Sequence, residues 1–264
     1  MPVFRDERSK EYPHFSKRVI ESYRKTGIDR VMDQMNLLYG IDPDWLELFN
    51  QFIRGDLYSR PLFSQALREI CACAALACMD KQNLLRTHLL NGAAHGAPKE
   101  ELLEAILQSV VFGGFPAAIT SIKTFAEVFP DMVKRDRPPL PASDRQSHPD
   151  MQQENASAQG LAEEYNFSRW DPGFAKSVQR LVIDGLNRRT IIDGKKRHLI
   201  ALACLTVKNA LPQIETYIQA SFRAGLQREE IQEVIFQMSA YAGFPYVSQA
   251  LQVLERVIEG RDRK

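Results

Sequence analysis

His88 is the residue of this 264-residue sequence whose type and position best suit acid–base chemistry. It shares one face of a predicted helix with Leu85, Leu89 and Gly92. An imidazole exchanges protons near neutral pH, so a histidine on such a face is either an acid–base group or a hydrogen-bonded core residue. No His, Cys and Asp cluster has the spacing of metal ligands and no glycine-rich loop suits a phosphate, so we expect no metal site.

The segment that carries His88 occurs twice, at residues 84–116 and 214–245. Matching positions lie 129 residues apart, as shown by Gly96 and Gly225, Gln108 and Gln237, and Pro116 and Pro245. The copies differ where chemistry is expected, because Tyr217 stands at the position of His88 and His198 at that of Glu69. The second copy therefore either contributes to a shared pocket or carries a distinct one.

Composition excludes several classes of function. Basic and acidic residues number 34 and 33, and a net charge of +1 gives no electrostatic case for nucleic acid or a membrane surface. The N-terminus shows no apolar signal region, and the longest apolar run, residues 70–79, is too short to span a bilayer. The four cysteines lie in apolar helical patterns, which favours reduced thiols and a cytoplasmic location.

The elements that must position His88 are all predicted to be helices. Asp42-Pro43 and Asp171-Pro172 predict helix starts, each with an acidic cap followed by proline. The first of these starts precedes an apolar stripe formed by Leu46, Phe49, Ile53 and Leu57. Gly96 and Gly225 predict left-handed helix stops, and both Gly-Phe-Pro triplets predict a helix break followed by a further helix.

The chain divides into two similar parts joined by a different kind of segment. Residues 130–159 hold five prolines among polar residues and show no sustained apolar period, which is typical of a linker. We therefore predict an all-α protein with an N-terminal helical extension over 1–41, helical-bundle units over 42–129 and 160–264, and a proline-rich linker over 130–159.

Taken together, these residues resemble the carboxymuconolactone decarboxylase family, which also contains the alkylhydroperoxidase D-type proteins. The shared features are an arginine at a helix start, H-x(3)-A/G-x(3)-G, a Glu-Glu helix start, E-x(3)-Q and Y/F-x-G-F-P. The resemblance covers residues 42–129 and 171–258 and implies an all-α bundle that assembles by close helix packing. Because a tandem chain supplies a dimer internally, the resemblance favours a homo-oligomer built as a trimer of two-unit chains.

The resemblance to this family also brings in its peroxidase-type members, which have a C-x-x-C-x(3)-H arrangement. Counted back from His88, the two thiol positions hold Lys81 and Leu84, and in the second copy they hold Ala210 and Gln213. That chemistry needs a low-pKa cysteine beside a resolving one, so a thiol peroxidase is disfavoured.

The decarboxylase type implies chemistry without a cofactor, because the lactone substrate is its own electron sink. Loss of CO2 leaves a delocalised carbanion that must be protonated at carbon. By resemblance His88 is the acid–base group, Glu69, nineteen residues earlier, orients it or relays a proton, and Arg68 holds a carboxylate. The expected substrate is a small carboxylated lactone or related cyclic acid. Further substrate-binding candidates are Arg197, His198, Tyr217, Phe115, Tyr241 and Tyr246.

Other interpretations of these residues stay open. Arg68 and Arg197 suit ion pairs equally well, and Glu104 and Glu233 suit salt bridges between the units. Tyr241 and Tyr246 can instead fill the core. The same scaffold also suits an isomerase, cyclase or hydrolase, and the loss of histidine at position 217 suits a non-catalytic oligomer that binds a small molecule.

Overall fold

The computed structural model describes residues 38–133 and 167–262, and all helices given below lie in these two ranges. The first unit contains α1 (Pro43–Asn50), which continues as the π-helical segment Gln51–Leu57, and then α2 (Gln65–Cys78), α3 (Gln82–Ala94), α4 (Lys99–Gln108) and α5 (Val110–Val128). The second unit contains α6 (Pro172–Gln179), the π-helical segment Arg180–Leu186, α7 (Gly194–Lys208), α8 (Leu211–Arg223), α9 (Arg228–Gln237), α10 (Ser239–Ala242) and α11 (Phe244–Asp262). The described residues form no strand, and the predicted all-α fold of two tandem units is confirmed.

Both units begin with the predicted cap. The Asp42 side chain accepts a hydrogen bond from the backbone N–H of Trp45, and Asp171 accepts from Gly173 and Phe174. Proline follows each aspartate at the first helical position, where its missing N–H leaves no hydrogen bond unmade. The two helix starts therefore follow from local sequence alone.

The Gly-Phe-Pro triplets bend the chain as predicted. Gly114 has φ 81° and Gly243 has φ 79°, a left-handed conformation that residues with a Cβ rarely adopt. Gly114 forms a kink inside α5, and Gly243 separates α10 from α11. Each bend follows a short helical segment. In the second unit this segment is α10, which contains Tyr241.

The two units share their cores rather than folding side by side. α2 packs on α7 at the centre of the molecule. Cys71 and Ala75 of α2 lie in a core cluster otherwise formed mainly by the second unit, whereas Ile200 and Cys204 of α7 lie in the cluster of the first unit. Side chains of one unit are thereby brought against the helices of the other.

Parts of the predicted organisation fall outside the described residues. Most of the N-terminal extension lies there, as does the linker apart from a 3₁₀ turn at Pro130–Met132 and the residue after it. Within the described ranges no single helix is long and apolar enough to cross a membrane. Taken together, helices α4 and α5 have the length and composition of a membrane span, but the two helices are bent by 117° relative to each other.

Candidate functional site

Glu69 and His88 form a close polar pair between α2 and α3. Glu69 Oε2 lies 2.5 Å from His88 Nδ1. The Glu69 side chain is buried, whereas that of His88 is 16% exposed. A carboxylate at Nδ1 fixes the orientation of the ring and leaves Nε2 to exchange protons with a ligand. The structure thus brings together the two residues expected to form the acid–base group.

Gly92 explains how α3 comes close enough for this contact. It lies one turn beyond His88 on α3, and a Cβ added there would stand 2.9 Å from a Leu102 methyl group and 3.3 Å from the Glu69 Cβ. Such distances are shorter than ordinary van der Waals contact. The absence of a side chain at Gly92 therefore allows the helix that carries His88 to approach the helix that carries Glu69.

Two tyrosines continue the polar chain beyond His88. Tyr241 Oη lies 3.5 Å from His88 Nε2, and the two rings are 5.5 Å apart at an interplanar angle of 71°. Tyr58 Oη is hydrogen-bonded to Tyr241 Oη. Tyr58 follows the π-helical segment of the first unit, whereas Tyr241 lies on α10 of the second. The chain Glu69–His88–Tyr241–Tyr58 is therefore built from both units.

Burial keeps both tyrosine hydroxyls protonated at neutral pH. It raises the pKa of Tyr58 well above its usual range, and the charge of Glu69 acts in the same direction. The pKa of Tyr241 is raised by burial first and then by the proximity of Tyr58 and Glu69. Two adjacent hydroxyls that hold their protons are hydrogen-bond donors, and that of Tyr241 lies beside the imidazole.

Arg68 does not point into this site as a free cation. Its Nη2 lies 2.5 Å from Glu233 Oε1, and its side chain has 0% exposure. Arg60 Nε binds the other oxygen of Glu233 at 2.7 Å. Arg68 Nη2 also donates to the carbonyl of Arg60 at 2.8 Å, whereas Nε and Nη1 of Arg68 are buried without a hydrogen-bond partner among the described residues. The geometry therefore supports the ion-pair interpretation of Arg68 over that of a carboxylate anchor, and it places this pair between α2 and α9.

A matching arrangement joins the units the other way round, with the arginines Arg189 and Arg197 in the second unit and Glu104 in the first. Arg189 Nε lies 2.7 Å from Glu104 Oε2, and Arg197 Nη1 donates to the carbonyl of Leu186 at 2.9 Å. Arg197 Nη1 also lies 4.0 Å from Glu104 Oε1. Arg197 is therefore held by the backbone of its own unit and by Glu104 of the other, which again matches the ion-pair interpretation.

His198 and Tyr217 lie together in a second, different site. Their ring centroids are 6.3 Å apart, and Tyr217 faces Phe112 of the first unit at 5.7 Å and 72°. This repeats the geometry of His88 and Tyr241, since Phe112 is the counterpart of Tyr241 in the first copy. Neither ring nitrogen of His198 has a hydrogen-bond partner among the described residues. The described contacts do not bring His198 or Tyr217 to His88.

The remaining two aromatic candidates lie on the surface. Phe115 is 56% exposed and Tyr246 is 39% exposed. Among the described residues, no hydrogen bond or ring contact links either side chain to His88. The expectation that they bind substrate therefore gains no support from their position.

Tyr58 was missed by the sequence reasoning because it belongs to none of the repeated motifs. A signal was nevertheless present. The position 129 residues later is Asn187, so the copies differ there as they do at His88 and Tyr217. Comparing every position that differs between the copies would have drawn attention to Tyr58 alongside Tyr241, whose counterpart is Phe112.

The four cysteines are buried, and Cys71 and Cys73 are poorly suited to form thiolates. All four are buried and none forms a disulfide. Burial raises the pKa of Cys71 to about 12 and that of Cys73 well above its usual range. A thiolate is the reactive form of cysteine, so these two thiols are poorly suited to peroxidase chemistry. In the two described ranges, no group of three or more His, Cys, Asp or Glu side chains is placed to hold a metal ion.

The fold and the site define an all-α tandem protein whose described residues include the carboxylate–imidazole pair of Glu69 and His88. The sequence profile of the carboxymuconolactone decarboxylase family matches residues 43–127 and again residues 172–256. The chain therefore belongs to the carboxymuconolactone decarboxylase family, as its motifs predicted.

Two relatives give the level of similarity within the family. An uncharacterised 15.0 kDa protein of Paracoccus denitrificans is 35% identical over 75 residues, which are 28% of this chain and 56% of that protein. The 4-carboxymuconolactone decarboxylase of Acinetobacter baylyi is 28% identical over 105 residues, 40% of this chain and 76% of that enzyme. The chain thus spans little more than half the length of the first relative.

Proposed function

We propose that the protein is a cofactor-independent decarboxylase that acts on a small carboxylated lactone or a related cyclic acid. The observation that carries the proposal is the 2.5 Å contact between Glu69 and His88 in a mostly buried site whose imidazole is still partly exposed. Family membership and similarity to a 4-carboxymuconolactone decarboxylase support this reaction type.

The site supplies what such a reaction needs from a protein. Decarboxylation leaves a carbanion, which the protonated imidazole of His88 quenches by giving its Nε2 proton to carbon. The Glu69 carboxylate at Nδ1 stabilises the imidazolium and keeps Nε2 turned to the ligand. Since Tyr217 replaces the histidine in the second copy, we propose one acid–base site in each chain.

Replacing His88 tests this proposal. The variant His88→Gln keeps a polar side chain of similar size but has no group that exchanges protons near neutral pH. We expect it to lower kcat for CO2 release from a carboxylated lactone by a factor on the order of 100 to 10,000. Circular dichroism and thermal unfolding serve as controls for folding. A well-folded His88→Gln protein with wild-type turnover would contradict the proposal.

One observation favours a second candidate function on the same scaffold. The two arginines expected to hold a carboxylate are both engaged, Arg68 with Glu233 and Arg197 with backbone carbonyls and Glu104. An isomerase, cyclase or hydrolase that uses His88 as its acid–base group does not need a carboxylate anchor. Mass spectrometry of the products separates the two, because decarboxylation lowers the product mass by that of CO2 and an isomerisation leaves it unchanged.

A further inference from the structure

We propose that Tyr241 stabilises the oxyanion of the reaction intermediate and that Tyr58 is its positioning residue. The inference rests on the proposed function, because it names the group that holds the negative charge while His88 manages the proton. It assigns a residue of the second copy to the active site of the first. The ligand class is a flat, conjugated ring that carries a negative charge on an exocyclic oxygen.

The contact between Tyr241 and His88 is weak. The 3.5 Å separation of Tyr241 Oη and His88 Nε2 is longer than a well-formed hydrogen bond of about 2.8 Å. Tyr241 can therefore turn its O–H toward a ligand oxygen without giving up a strong interaction. His88 Nε2 would then contact the carbon that is protonated, and Tyr241 Oη would contact the charged exocyclic oxygen of the same ligand.

Tyr58 can set the direction in which Tyr241 donates, since either hydroxyl can be the donor of the bond between them. The two hydroxyls are hydrogen-bonded to each other, and Tyr58 is 2% exposed. When Tyr58 donates to Tyr241, the proton of Tyr241 has to point elsewhere, and a chain of such bonds strengthens its last donor. The carbonyl of Tyr58 is also held, since Gln65 Nε2 donates to it at 2.7 Å. Tyr58 thus acts through Tyr241 and not on the ligand.

Charges of both signs surround the Tyr58 hydroxyl. The guanidinium carbons of Arg54 and Arg68 lie 5.7 and 6.0 Å from the centre of the Tyr58 ring. At the Tyr58 hydroxyl the two guanidinium charges favour negative charge, whereas the charge of Glu69 opposes it and acts more strongly than either. Burial keeps both hydroxyls protonated, so they act as donors and not as anions.

The step balances without a further reactant. The bond between the ring carbon and its carboxylate breaks, and CO2 leaves. The electron pair moves through the conjugated ring to the carbonyl oxygen of the lactone, where Tyr241 donates its hydrogen bond. The pair then returns to carbon and forms a C–H bond with the Nε2 proton of His88, which regains a proton from water. Nothing is oxidised or reduced.

The second copy provides an internal comparison. Phe112 faces Tyr217 at 5.7 Å and 72°, which is the same arrangement as that of Tyr241 and His88. The hydroxyl is absent there, and Asn187 stands at the position that corresponds to Tyr58. The copies therefore kept the packing of the two rings, but only the His88 side combines an imidazole with a pair of hydroxyls.

Two measurements on full-length variants test the assignment. The variants are Tyr241→Phe and Tyr58→Phe, and Tyr39→Phe, which removes a hydroxyl before α1, is the control. We expect Tyr241→Phe to lower kcat on the order of 100-fold with little change in KM, as for loss of one oxyanion donor. Tyr58→Phe should lower kcat on the order of 10-fold, because Tyr241 keeps its hydroxyl but loses its direction.

The second measurement needs no turnover. The probe is 4-nitrophenol, whose anion is a flat ring with a delocalised oxyanion and absorbs visible light. Below the pKa of the free probe, we expect binding to wild type and to His88→Gln to raise the anionic fraction. Tyr58→Phe should reduce this signal and Tyr241→Phe should abolish it, whereas a purely structural tyrosine would leave the ionisation of the bound probe unchanged.

The outcomes separate this inference from the proposed function. Wild-type kcat and a wild-type probe signal in Tyr241→Phe, or no probe signal in the wild type, would overturn the oxyanion assignment. If no lactone is decarboxylated but the probe signal depends on Tyr241, the reaction is wrong and the oxyanion site stands. If His88→Gln still turns over while Tyr241→Phe does not, the acid–base role of His88 is wrong and that of Tyr241 stands.

Discussion

At the scale of single residues, the two histidines of the repeat have opposite surroundings. His88 has a carboxylate at Nδ1, and its side chain is partly exposed. His198 is buried with no hydrogen-bond partner among the described residues. Burial lowers the pKa of His198 to about 4, and the charges of Arg197 and Arg223 act in the same direction. The second histidine is therefore neutral at physiological pH.

This burial predicts a specific loss of stability in acid. The folded-state pKa of His198 is below the value of about 6.5 for an unfolded chain. The unfolded chain therefore binds more protons in this window, and the free energy of unfolding decreases as pH falls through it, by about 3 kcal/mol in total. Urea unfolding of wild type and His198→Leu at about pH 7 and about pH 4 measures the effect. Equal pH dependence in the two proteins would contradict the prediction.

At the residue scale, the sequence predicted the acid–base pair better than its surroundings. Glu69 and His88 were assigned together, and the structure places them in contact. The arginines were ambiguous, since Glu233 is 165 residues from Arg68 and no local pattern reports a contact at such separation. Tyr58 was missed for a similar reason, because its partner Tyr241 lies 183 residues away.

At the scale of elements, most helix boundaries followed from short-range chemistry. Aspartate caps, left-handed glycines and the Gly-Phe-Pro bends are all local and appear where expected. The first apolar stripe was predicted as one α-helix, but the structure widens to π-helix over Gln51–Leu57. A π-helix uses i to i+5 hydrogen bonds, and the spacing of four apolar residues does not distinguish these from α-helical ones.

Helices α2 and α9 are joined by a buried charge pair that can be tested by mutation. Glu233→Gln would leave the guanidinium of Arg68 buried without its carboxylate. We expect the free energy of unfolding to fall by about 3–5 kcal/mol. The further change Arg68→Met should recover part of this loss, because it removes the uncompensated charge. Urea unfolding of the single and double variants measures both effects.

An exposed ion pair serves as the control for the buried Arg68–Glu233 pair. Arg86 and Glu127 form an ion pair whose side chains are 44% and 62% exposed. Glu127→Gln should cost no more than about 1 kcal/mol, since water and salt screen exposed charges. A similar loss for Glu233→Gln and Glu127→Gln would show that the α2–α9 pair contributes no more than a surface contact.

At the scale of the whole molecule, apolar surface is left uncovered by the described residues. An open groove of about 860 Å³ is lined by Phe52, Leu57, Phe236, Phe244, Val247 and Leu251, among others. Phe244 is 64% exposed, and its counterpart Phe115 is 56% exposed. Apolar patches of this kind mark interaction surfaces in soluble proteins. They support the proposal, first made from the family resemblance, that further copies of the chain pack here.

We propose a trimer of two-unit chains, and light scattering tests it. The expected mass is three times the chain mass of 30.1 kDa. The double change Phe115→Asp and Phe244→Asp places charge on both exposed faces and should shift the population to single chains. Circular dichroism checks that the variant remains folded. A wild-type protein that is a single chain at micromolar concentration would contradict the proposed assembly.

The contact between His88 and Tyr241 depends on the two copies having different sequences. Tyr241 comes from the second copy, and its counterpart in the first copy is Phe112. Two identical first units, paired as these units are, would set a phenylalanine against each histidine and would lack that hydroxyl. Duplication within one gene removes this restriction, because each half can drift on its own. One half carries the imidazole and the other the phenol, so both halves are needed to form this pair.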